Sequence, residues 1–542
     1  MSLASGGEAI VNGLVAHGVD TVFGLPGAQI YGLFDAFHQA QLKVIGARHE
    51  QACGYMAFGY ARASGRPGVF SVVPGPGVLN ASAALLTAFG CNEPVLCLTG
   101  QVPTQFLGKG RGHLHEMPDQ LATLRTFVKW ADRAEYPDVA PAMVGRAFQE
   151  MLSGRRGPAS LEMPWDVFTQ RAEVGQAQVY DALPAPQADP DRIKAAAALI
   201  KTSRNPMIFV GSGAIHASEE ILELAEMLDA PAVAFRSGRG IVSNAHELGL
   251  TIAAAYRLWP ATDLMIGIGT RLELPTMSRW PYQPDGLKSI RIDIDPVEMR
   301  RYVSDVSVIA DSKAGTRDLV AAVKKTGFNR TAGRRTTIRE ATAAAEKDIQ
   351  RIQPQMAYLK ILREVLSANA IVTDELSQVG FASWYGFPIY EPRTFITSGY
   401  QGTLGSGFPT ALGAKVAHPD RPVVAITGDG GFMFGVQELA TAVQFRIGVV
   451  TLVFNNNAYG NVRRDQRERF DGRVVASDLV NPDFVKLAES FGAGAARVTS
   501  PDQFKPALEK ALADGGPYVI AVEVPTDSEV SPWAFIHPAR PS

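Results

Sequence analysis

The chain is poor in cysteine, lacks long apolar runs and carries almost no net charge. Its three cysteines, Cys53, Cys91 and Cys97, form neither a CxxC pair nor a metal-binding spacing in 542 residues. Such low cysteine usage is typical of a reducing compartment, so we expect a cytoplasmic protein. The sequence contains no run of about 18 uncharged apolar residues, so we expect no transmembrane helix. The N-terminus also lacks the basic and apolar segments of a signal peptide.

The charge balance argues against nucleic acid or a membrane surface as a partner. There are 52 Lys and Arg residues against 54 Asp and Glu residues, and the formal net charge is −2. No Lys/Arg-rich run is present that would mark an electrostatic docking surface. With 46% hydrophobic and 20% charged residues, the composition is that of a globular protein. A chain of this length predicts about three domains.

Strand-like and helix-like segments alternate in three series, which predicts an α/β protein with three doubly wound, mostly parallel sheets. We predict domains at residues 1–175, 188–326 and 356–528, with a Pro/Ala-rich linker before the second and a helical bridge over 324–355 before the third. The matched alternation suggests that the first and third domains are structural duplicates. The Pro-rich, aromatic tail at 529–542 could fold over a site as a lid or form a loosely docked terminus.

Two polar motifs follow neighbouring predicted strands in the third series. Gly428-Asp429-Gly430 comes after the strand at 421–427. Asn455-Asn456-Asn457 follows after 24 intervening residues, behind the strand at 447–454. Open α/β sheets bind ligands at the carboxyl ends of their strands. One carboxylate and one amide oxygen, completed by water and phosphate, suit an octahedral Mg²⁺ ion. The glycines allow backbone N–H groups to approach phosphate oxygens.

Further motifs occur earlier in the chain. They are Arg48-His49-Glu50, Pro74-Gly75-Pro76-Gly77 leading to Asn80, Gly100-Gln101-Val102-Pro103, and Glu162-Met163-Pro164-Trp165-Asp166. Together with the GDG and Asn motifs, and in this order, they resemble the superfamily of thiamin-diphosphate-dependent enzymes that includes acetolactate synthase, benzaldehyde lyase and pyruvate decarboxylase. The resemblance covers essentially the whole chain. It implies pyrimidine-binding, central Rossmann-like and diphosphate-binding domains, in that order.

The resemblance implies two cofactors, thiamin diphosphate and Mg²⁺. It implies that Asp429, Asn456 and the backbone carbonyl of Ala458 bind the metal. It implies that Glu50 exchanges a proton with the cofactor pyrimidine, and that Leu404 is the apolar wedge between the two cofactor rings. The further cofactor contacts that it implies are Pro26, Gly75, Asn80, Gln378, Gly402, Gly428, Gly430, Gly431, Tyr459, Gly460, Asn461 and Val462.

Two residues are predicted on the substrate side of the site. Gln29 lies in the first glycine loop, and His115 aligns with a glutamine of the catalytic pocket in the synthases and the lyase. A histidine there could relay protons to an acceptor carbonyl. The alternative is that His113 and His115 are a solvated pair in a loop.

The resemblance implies an enzyme that acts on a 2-oxo acid through ylide and enamine intermediates and transfers the product to a second carbonyl. This acetolactate-synthase-type carboligation is our first expectation, and a benzaldehyde-lyase-like C–C lyase or a simple 2-oxo acid decarboxylase is the alternative. A catalytically inactive binding protein of the same fold is the alternative from another class, and an NAD-dependent oxidoreductase is a weaker one. The resemblance also implies a homodimer as the minimum active unit, commonly arranged as a homotetramer.

Two segments depart from the synthase pattern. Asp465 stands where synthases carry a tryptophan that favours larger acceptor acids. In the central domain, Gly269-Thr270-Arg271 is kept, but the acidic continuation associated with flavin binding is replaced by residues 272–275, which read Leu-Glu-Leu-Pro. This replacement argues against FAD or another nucleotide in the central domain.

We therefore predict that flavin is dispensable. The purified protein is expected to lack a flavin absorption band, and added FAD is expected to leave turnover unchanged. A stoichiometric flavin, or turnover that requires FAD, would contradict this prediction and point back to the full synthase pattern.

Overall fold

The computed structural model describes residues 1–540, and within them three six-stranded sheets form the framework. Neighbouring strands of all three sheets run parallel, and helices connect them. Their inner strands are almost continuously buried, as expected for parallel sheets that are covered on both faces. The predicted α/β class with three doubly wound sheets is confirmed.

The first sheet has the strand order β3-β2-β4-β5-β7-β6, and β1 and β8 form a separate antiparallel pair. The strands are β1 (Ser2–Ser5), β2 (Thr21–Gly24), β3 (Lys43–Gly46), β4 (Gly68–Val72), β5 (Val95–Gln101), β6 (Trp130–Arg133), β7 (Ala159–Pro164) and β8 (Arg171–Val174). The helices are α1 (Gly6–Ala16), α2 (Tyr31–Gln39), α3 (Glu50–Ser64), α4 (Pro76–Cys91), α5 (Gln120–Leu124), α6 (Ala140–Leu152) and α7 (Trp165–Thr169).

The second sheet has the order β11-β10-β9-β12-β13-β14. Its strands are β9 (Pro206–Val210), β10 (Ala232–Ala234), β11 (Gly249–Leu250), β12 (Leu264–Ile268), β13 (Lys288–Asp293) and β14 (Val306–Ile309). Its helices are α8 (Pro190–Thr202), α9 (Ser218–Leu228), α10 (Ile252–Leu258), α11 (Glu273–Thr276) and α12 (Ser312–Thr326), followed by the connecting helix α13 (Arg334–Ile349). Counted from its own first strand, the order is 3-2-1-4-5-6, which is that of a Rossmann fold.

The third sheet has the order β16-β15-β17-β18-β20-β19. Its strands are β15 (Ile371–Asp374), β16 (Phe395–Ile396), β17 (Val423–Gly428), β18 (Val450–Asn455), β19 (Gly494–Val498) and β20 (Tyr518–Glu523). Its helices are α14 (Gln355–Val365), α15 (Gln378–Gly386), α16 (Gly407–Ala417), α17 (Asp429–Phe432), α18 (Glu438–Gln444), α19 (Gly460–Arg469), α20 (Phe484–Ser490) and α21 (Pro501–Asp514).

The first and third sheets share one topology. Counted from the first strand of each sheet, both follow the order 2-1-3-4-6-5. In such a sheet the chain leaves its first strand in both directions, so a crevice opens between the first and third strands. The two domains therefore present equivalent crevices, in agreement with the predicted duplication.

The helical bridge predicted over 324–355 is interrupted. α12 ends at Thr326 and α13 begins only at Arg334, and the gap contains Gly327 and Gly333, both at positive φ. Glycine adopts this backbone region without the steric cost that other residues carry, so it ends helices readily. The Ala- and Thr-rich composition of residues 324–355 favours a helix, but these two glycines interrupt it.

The first and third domains share a core through the crossing of α3 and α16. Glycines at the crossing bring the two backbones together: a Cβ on Gly59 would lie 2.0 Å from the carbonyl oxygen of Thr410, and a Cβ on Gly413 would lie 1.9 Å from that of Met56. One apolar cluster accordingly contains buried side chains of both domains, among them Met56 and Leu412.

The C-terminal tail is packed against the rest of the chain. Ile536 is fully buried, and Pro532 accepts a hydrogen bond from the buried Tyr385 hydroxyl at 3.2 Å. The last two residues of the predicted tail, 541 and 542, lie outside the described part. Within the described residues, no helix combines the length and apolar character needed to cross a membrane.

We predict that Gly59→Ala destabilises the protein although alanine is the better helix former. Better helix propensity would stabilise by up to about 1 kcal/mol. Forcing a methyl group into a backbone contact typically costs about 1–3 kcal/mol, so the contact decides the sign. The midpoint of thermal unfolding is expected to fall by several degrees. Gly175→Ala is the control, because no atom lies within 4 Å of a Cβ there; equal midpoints in both variants would contradict the prediction.

Candidate active site

The site residues of the third domain cluster at the crevice of its sheet. Asp374 ends β15, Gly428 ends the neighbouring strand β17, and Asn455 ends β18, so the loops that follow meet at one edge. Between the two motifs the chain forms two short helices, α17 and α18. The carboxyl ends of parallel strands place Asp429 and Asn456 side by side, as the sequence predicted.

Asp429 and Asn456 converge on one backbone N–H group. The Ala458 N–H donates to Oδ2 of Asp429 at 3.2 Å and to Oδ1 of Asn456 at 3.1 Å. Two oxygens that accept from the same donor must lie close to each other. The arrangement offers a carboxylate and an amide oxygen on one small region, which is the oxygen-only donor set that Mg²⁺ prefers.

Burial makes the carboxylate of Asp429 dependent on its partners. The side chain is nearly inaccessible, and this burial raises its pKa, while hydrogen bonds to backbone N–H groups and to Asn481 act in the opposite direction. The Asn481 amide donates to Oδ2 of Asp429 at 2.8 Å and to Oδ1 of Asn455 at 2.9 Å. A divalent cation at Asp429 would stabilise the ionised form further.

The glycines of the two motifs are places of close approach. A Cβ on Gly430 would lie 2.4 Å from the ring of Tyr459, and a Cβ on Gly460 would lie 2.6 Å from the amide nitrogen of Asn456. A Cβ on Gly431 would lie 2.3 Å from Oε1 of Glu375. No side chain fits at these positions without displacement, so the close packing of these turns requires glycine.

The predicted wedge, Leu404, is half-buried in a loop shaped by Gly402 and Gly405, both at positive φ. The Gly405 N–H donates to the buried carboxyl of Glu375, which also contacts Gly431. Burial raises the pKa of Glu375 to about 8. Glu375 therefore joins the wedge loop to the GDG turn, and sequence reasoning missed it.

The start of α19 brings Gln378 and Asn461 together through an arginine that was not predicted. Arg464 donates to Oδ1 of Asn461 and, at 3.4 Å, to Oε1 of Gln378. Asn461 also accepts from the indole N–H of Trp533 in the tail. Val462, by contrast, is exposed on the helix surface. Arg464 adds a cation beside the predicted diphosphate contacts.

Residues at the junction of the third domain and the tail contact Asn456, one of the predicted metal ligands. Asn456 Nδ2 donates to Oε2 of Glu529 at 2.7 Å, and the Thr526 hydroxyl donates to the carbonyl oxygen of Asn456 at 2.7 Å. Burial raises the pKa of Glu529 to about 7. Neither residue was among the predicted site residues.

In the first domain, the predicted residues again lie at the crevice of the sheet. Pro26 and Gln29 follow β2, and Gly75 follows β4, which is the neighbouring strand. Gly75 has φ +60, and a Cβ there would lie 2.5 Å from the carbonyl oxygen of His115. Its N–H donates at 2.8 Å to the buried Gln120. The hydrogen bond to Gln120 thus fixes the position of this turn.

Gln29 and His115 form a hydrogen-bonded pair. Gln29 is fully buried, donates to the carbonyl oxygen of Leu114 at 2.7 Å, and meets Nδ1 of His115 with its own oxygen at 3.0 Å. Because an amide oxygen only accepts, His115 carries its proton on Nδ1, and Nε2 is the basic nitrogen. His113 instead stacks on Phe106, with ring centroids 4.9 Å apart. Of the two histidines, only His115 bonds to Gln29.

Glu50 is the first residue of α3, and the side chain of His49 caps the helix. Asn80 Nδ2 donates to Oε2 of Glu50 at 3.0 Å, so two predicted cofactor contacts touch each other. Beneath them, both oxygens of the buried Glu438 accept from the backbone N–H of Arg48 at 3.1 Å. Glu438 belongs to the third domain and was not predicted.

The structure thus forms two groups of site residues in one chain. Across the described residues 1–540, no hydrogen bond joins the Glu50 group to the Asp429 group. The two domains are linked beside these groups by the Arg48–Glu438 bonds and by the wedge loop, where the Thr403 hydroxyl lies 3.4 Å from that of Thr87 on α4. Among the residues that were missed, Glu375 carried a local signal because it directly follows the end of β15, whereas Glu438 and Glu529 lie outside the quoted motifs.

A cavity of about 430 Å³ is lined by the central domain and by parts of the first and third domains. It opens at the crevice of the second sheet, beside the glycine turns 211–213 and 269–271. Its walls carry several arginines, including Arg271, whose guanidinium lies over the Tyr400 ring at 4.5 Å. This volume is within the range of small-molecule sites. It does not test the expectation about flavin.

Three family descriptions match the chain. They are the N-terminal TPP binding domain (residues 4–123), the central domain (residues 193–319) and the C-terminal TPP binding domain (residues 376–522) of thiamine pyrophosphate enzymes. The chain therefore belongs to the thiamine pyrophosphate, or thiamin diphosphate, enzymes.

Within this family the chain is of the acetolactate synthase type. It is 35% identical to a probable acetolactate synthase large subunit of Methanocaldococcus jannaschii, over 96% of this chain and 92% of the relative. It is 30% identical to the acetolactate synthase large subunit of Haemophilus influenzae, over 95% and 93%. It is also 31% identical to a probable 2-ketoarginine decarboxylase of Pseudomonas aeruginosa, over 94% and 92%.

We predict that Glu50→Gln slows turnover about 10²–10⁴-fold, the usual cost of removing a general acid–base group. The fold and the affinity for thiamin diphosphate are expected to persist, because glutamine can still accept from Asn80. Exchange of the cofactor C2 proton, followed by NMR after quenching, checks the step directly. Glu219→Gln, at an exposed glutamate in the first turn of α9, is the control, and near-wild-type exchange in Glu50→Gln would refute the role.

We predict that His115→Ala leaves C2 proton exchange nearly unchanged and alters the products. Loss of a proton donor near the acceptor carbonyl is expected to lower product formation or shift the ratio of ligated product to free aldehyde. The pH dependence of the product ratio is also expected to change, because a proton-transfer group is lost. His113→Ala is the matched control. If exchange, product ratio and pH profile are all as in the wild type, His115 is only a loop residue.

Proposed function

We propose that this protein is a thiamin-diphosphate- and Mg²⁺-dependent carboligase that decarboxylates a 2-oxo acid and joins the remaining acyl unit to a second carbonyl compound. One observation carries the proposal: the oxygens of Asp429 and Asn456 accept from the same Ala458 N–H, beside the glycine turn. The identity to acetolactate synthase large subunits supports the choice of carboligation.

In this proposal the third domain holds the diphosphate and the metal. Asp429, Asn456 and the Ala458 carbonyl bind Mg²⁺, and the N–H groups of Gly430 and Gly431 face phosphate oxygens. Gln378 and Asn461 contact the diphosphate, and Arg464, which bonds both, adds positive charge. The remaining cofactor contacts on this side are Gly402, Leu404, Gly428, Tyr459, Gly460 and Val462.

The first domain holds the pyrimidine and the substrate in this proposal. When bound, thiamin diphosphate supplies a nucleophilic carbon and accepts the electrons released as CO₂ leaves. Glu50 exchanges a proton with the pyrimidine while Asn80 orients its carboxyl, and Pro26 and Gly75 line the same crevice. His115, held by Gln29, donates or accepts a proton at Nε2 near the acceptor carbonyl.

We propose a homodimer as the minimum active unit, arranged as a homotetramer. Glu50 is half-exposed and Asn80 is exposed in the single chain, although a carboxyl that exchanges protons near neutrality needs an apolar pocket. Apolar side chains are exposed near the two site groups: Leu79 beside Asn80, and Met433 and Phe434 after the GDG turn. A partner subunit that covers them would complete the site.

A cytoplasmic location is also part of the proposal. The three cysteines are buried and unpaired within the described residues. Burial raises the pKa of Cys91 to about 11 and that of Cys97 to about 12, so both remain protonated thiols. Free thiols of this kind suit a reducing compartment.

Simple decarboxylation is the second candidate. Asp465 stands where the synthase pattern has a tryptophan, and its Oδ1 lies 3.4 Å from Nη2 of Arg464. In this candidate a charged side chain replaces the indole beside the acceptor. Incubation with pyruvate and analysis of the products separates the two. Acetolactate, with two pyruvates consumed per CO₂ released, supports carboligation; free acetaldehyde, with one pyruvate consumed per CO₂ released, supports decarboxylation. Absence of CO₂ release from a panel of 2-oxo acids would contradict both.

We predict that Asp429→Ala and Asn456→Ala abolish tight binding of thiamin diphosphate with Mg²⁺. Each removes one hard oxygen ligand, so the loss should exceed the roughly 10–100-fold cost of removing an outer-shell partner. Calorimetric titration measures it. Asp471→Ala, at an exposed carboxylate, is the control. Unchanged affinity in both site variants would show that the metal binds elsewhere.

A further inference from the structure

Residues 526–529, which lead into the C-terminal tail, bond both the backbone and the side chain of Asn456. Its carbonyl oxygen accepts from the hydroxyl of Thr526, and its side-chain Nδ2 donates to Oε2 of Glu529, each at 2.7 Å. Glu529 follows Asn456 by 73 residues, so this contact is a product of tertiary packing. The carboxyl oxygen Oε2 accepts this hydrogen bond, so Glu529 binds the nitrogen end of the amide.

The opposite end of the same amide faces the cation-binding group. With Nδ2 directed to Glu529, Oδ1 of Asn456 is directed to the Ala458 N–H, where it meets Oδ2 of Asp429. An asparagine that rotated by half a turn about its last bond would present Nδ2 there and lose an oxygen ligand. Which end faces the metal therefore depends on what the other end bonds.

The surroundings of Glu529 make this contact specific. Asn456, Ala458 and Glu529 line one cavity of about 30 Å³, together with Gln378 and Arg464. The segment that carries Glu529 is anchored on its far side, because Val530 exchanges hydrogen bonds with Gln353 and Gln355. This anchored segment thus holds the carboxyl of Glu529 opposite the side-chain amide of Asn456.

We propose that Glu529 is a positioning residue of the cation site: it binds Nδ2 of Asn456 and thereby keeps Oδ1 turned toward the metal. This inference rests on the proposed function, because it takes Asn456 as a metal ligand. Outer-shell partners of metal ligands fix ligand orientation, and their loss typically weakens metal binding about 10–100-fold. Glu529 connects the C-terminal tail to that function.

The test is the affinity for Mn²⁺ in the presence of thiamin diphosphate, measured by electron paramagnetic resonance of free Mn²⁺. Glu529→Ala is expected to weaken Mn²⁺ binding about 10–100-fold. Glu529→Gln keeps an oxygen acceptor for Nδ2 and is expected to stay within a few-fold of wild type. Glu509→Ala, at an exposed glutamate on α21, is the matched control, and circular dichroism with thermal unfolding of the metal-free proteins checks the fold.

Each result decides the proposal. Wild-type affinity in Glu529→Ala would overturn it, and so would equal weakening in Glu529→Gln, because the carboxylate charge and not the orientation would then matter. Asp429→Ala separates this inference from the proposed function. If Asp429→Ala also keeps its affinity for Mn²⁺, the proposed metal site itself is wrong; if only Asp429→Ala loses affinity, the failure belongs to Glu529 alone.

Discussion

The site of the third domain depends on keeping the Asp429 carboxylate ionised in a buried position. Burial raises its pKa, and the Ala458 N–H and the Asn481 amide compensate only in part. A bound divalent cation would supply the remaining stabilisation, and the adjacent oxygen of Asn456 gives it a second ligand. The glycine turn, the start of α19 and the tail segment at 526–529 are all arranged around this one carboxylate.

The same topology explains why two distant parts of the chain form comparable sites. The first and third sheets share the order 2-1-3-4-6-5, so each opens a crevice between its first and third strands. The third-domain crevice offers oxygens and backbone N–H groups suited to a metal and a diphosphate. The first-domain crevice offers the Glu50–Asn80 and Gln29–His115 pairs. The central sheet, with its different order, opens onto a separate cavity.

Much of this could be predicted from the sequence because buried parallel strands followed by polar motifs give strong local signals. Asp429 and Asn456 were predicted at neighbouring strand ends, and they lie there. Glu375, Glu438 and Glu529 were missed because their contacts join segments far apart in the chain, and no local pattern encodes such contacts. The predicted helical bridge is too long because its Ala- and Thr-rich composition favours a helix, whereas Gly327 ends α12 and Gly333 precedes α13.

The most direct test of the central claim is the location of the metal in crystals grown with thiamin diphosphate and Mn²⁺. The anomalous scattering of Mn²⁺ identifies its position independently of the ligands. We predict one strong peak per chain at coordination distance from Oδ2 or Oδ1 of Asp429 and from Oδ1 of Asn456. A peak elsewhere, with these oxygens bonded only to protein and water, would contradict the account.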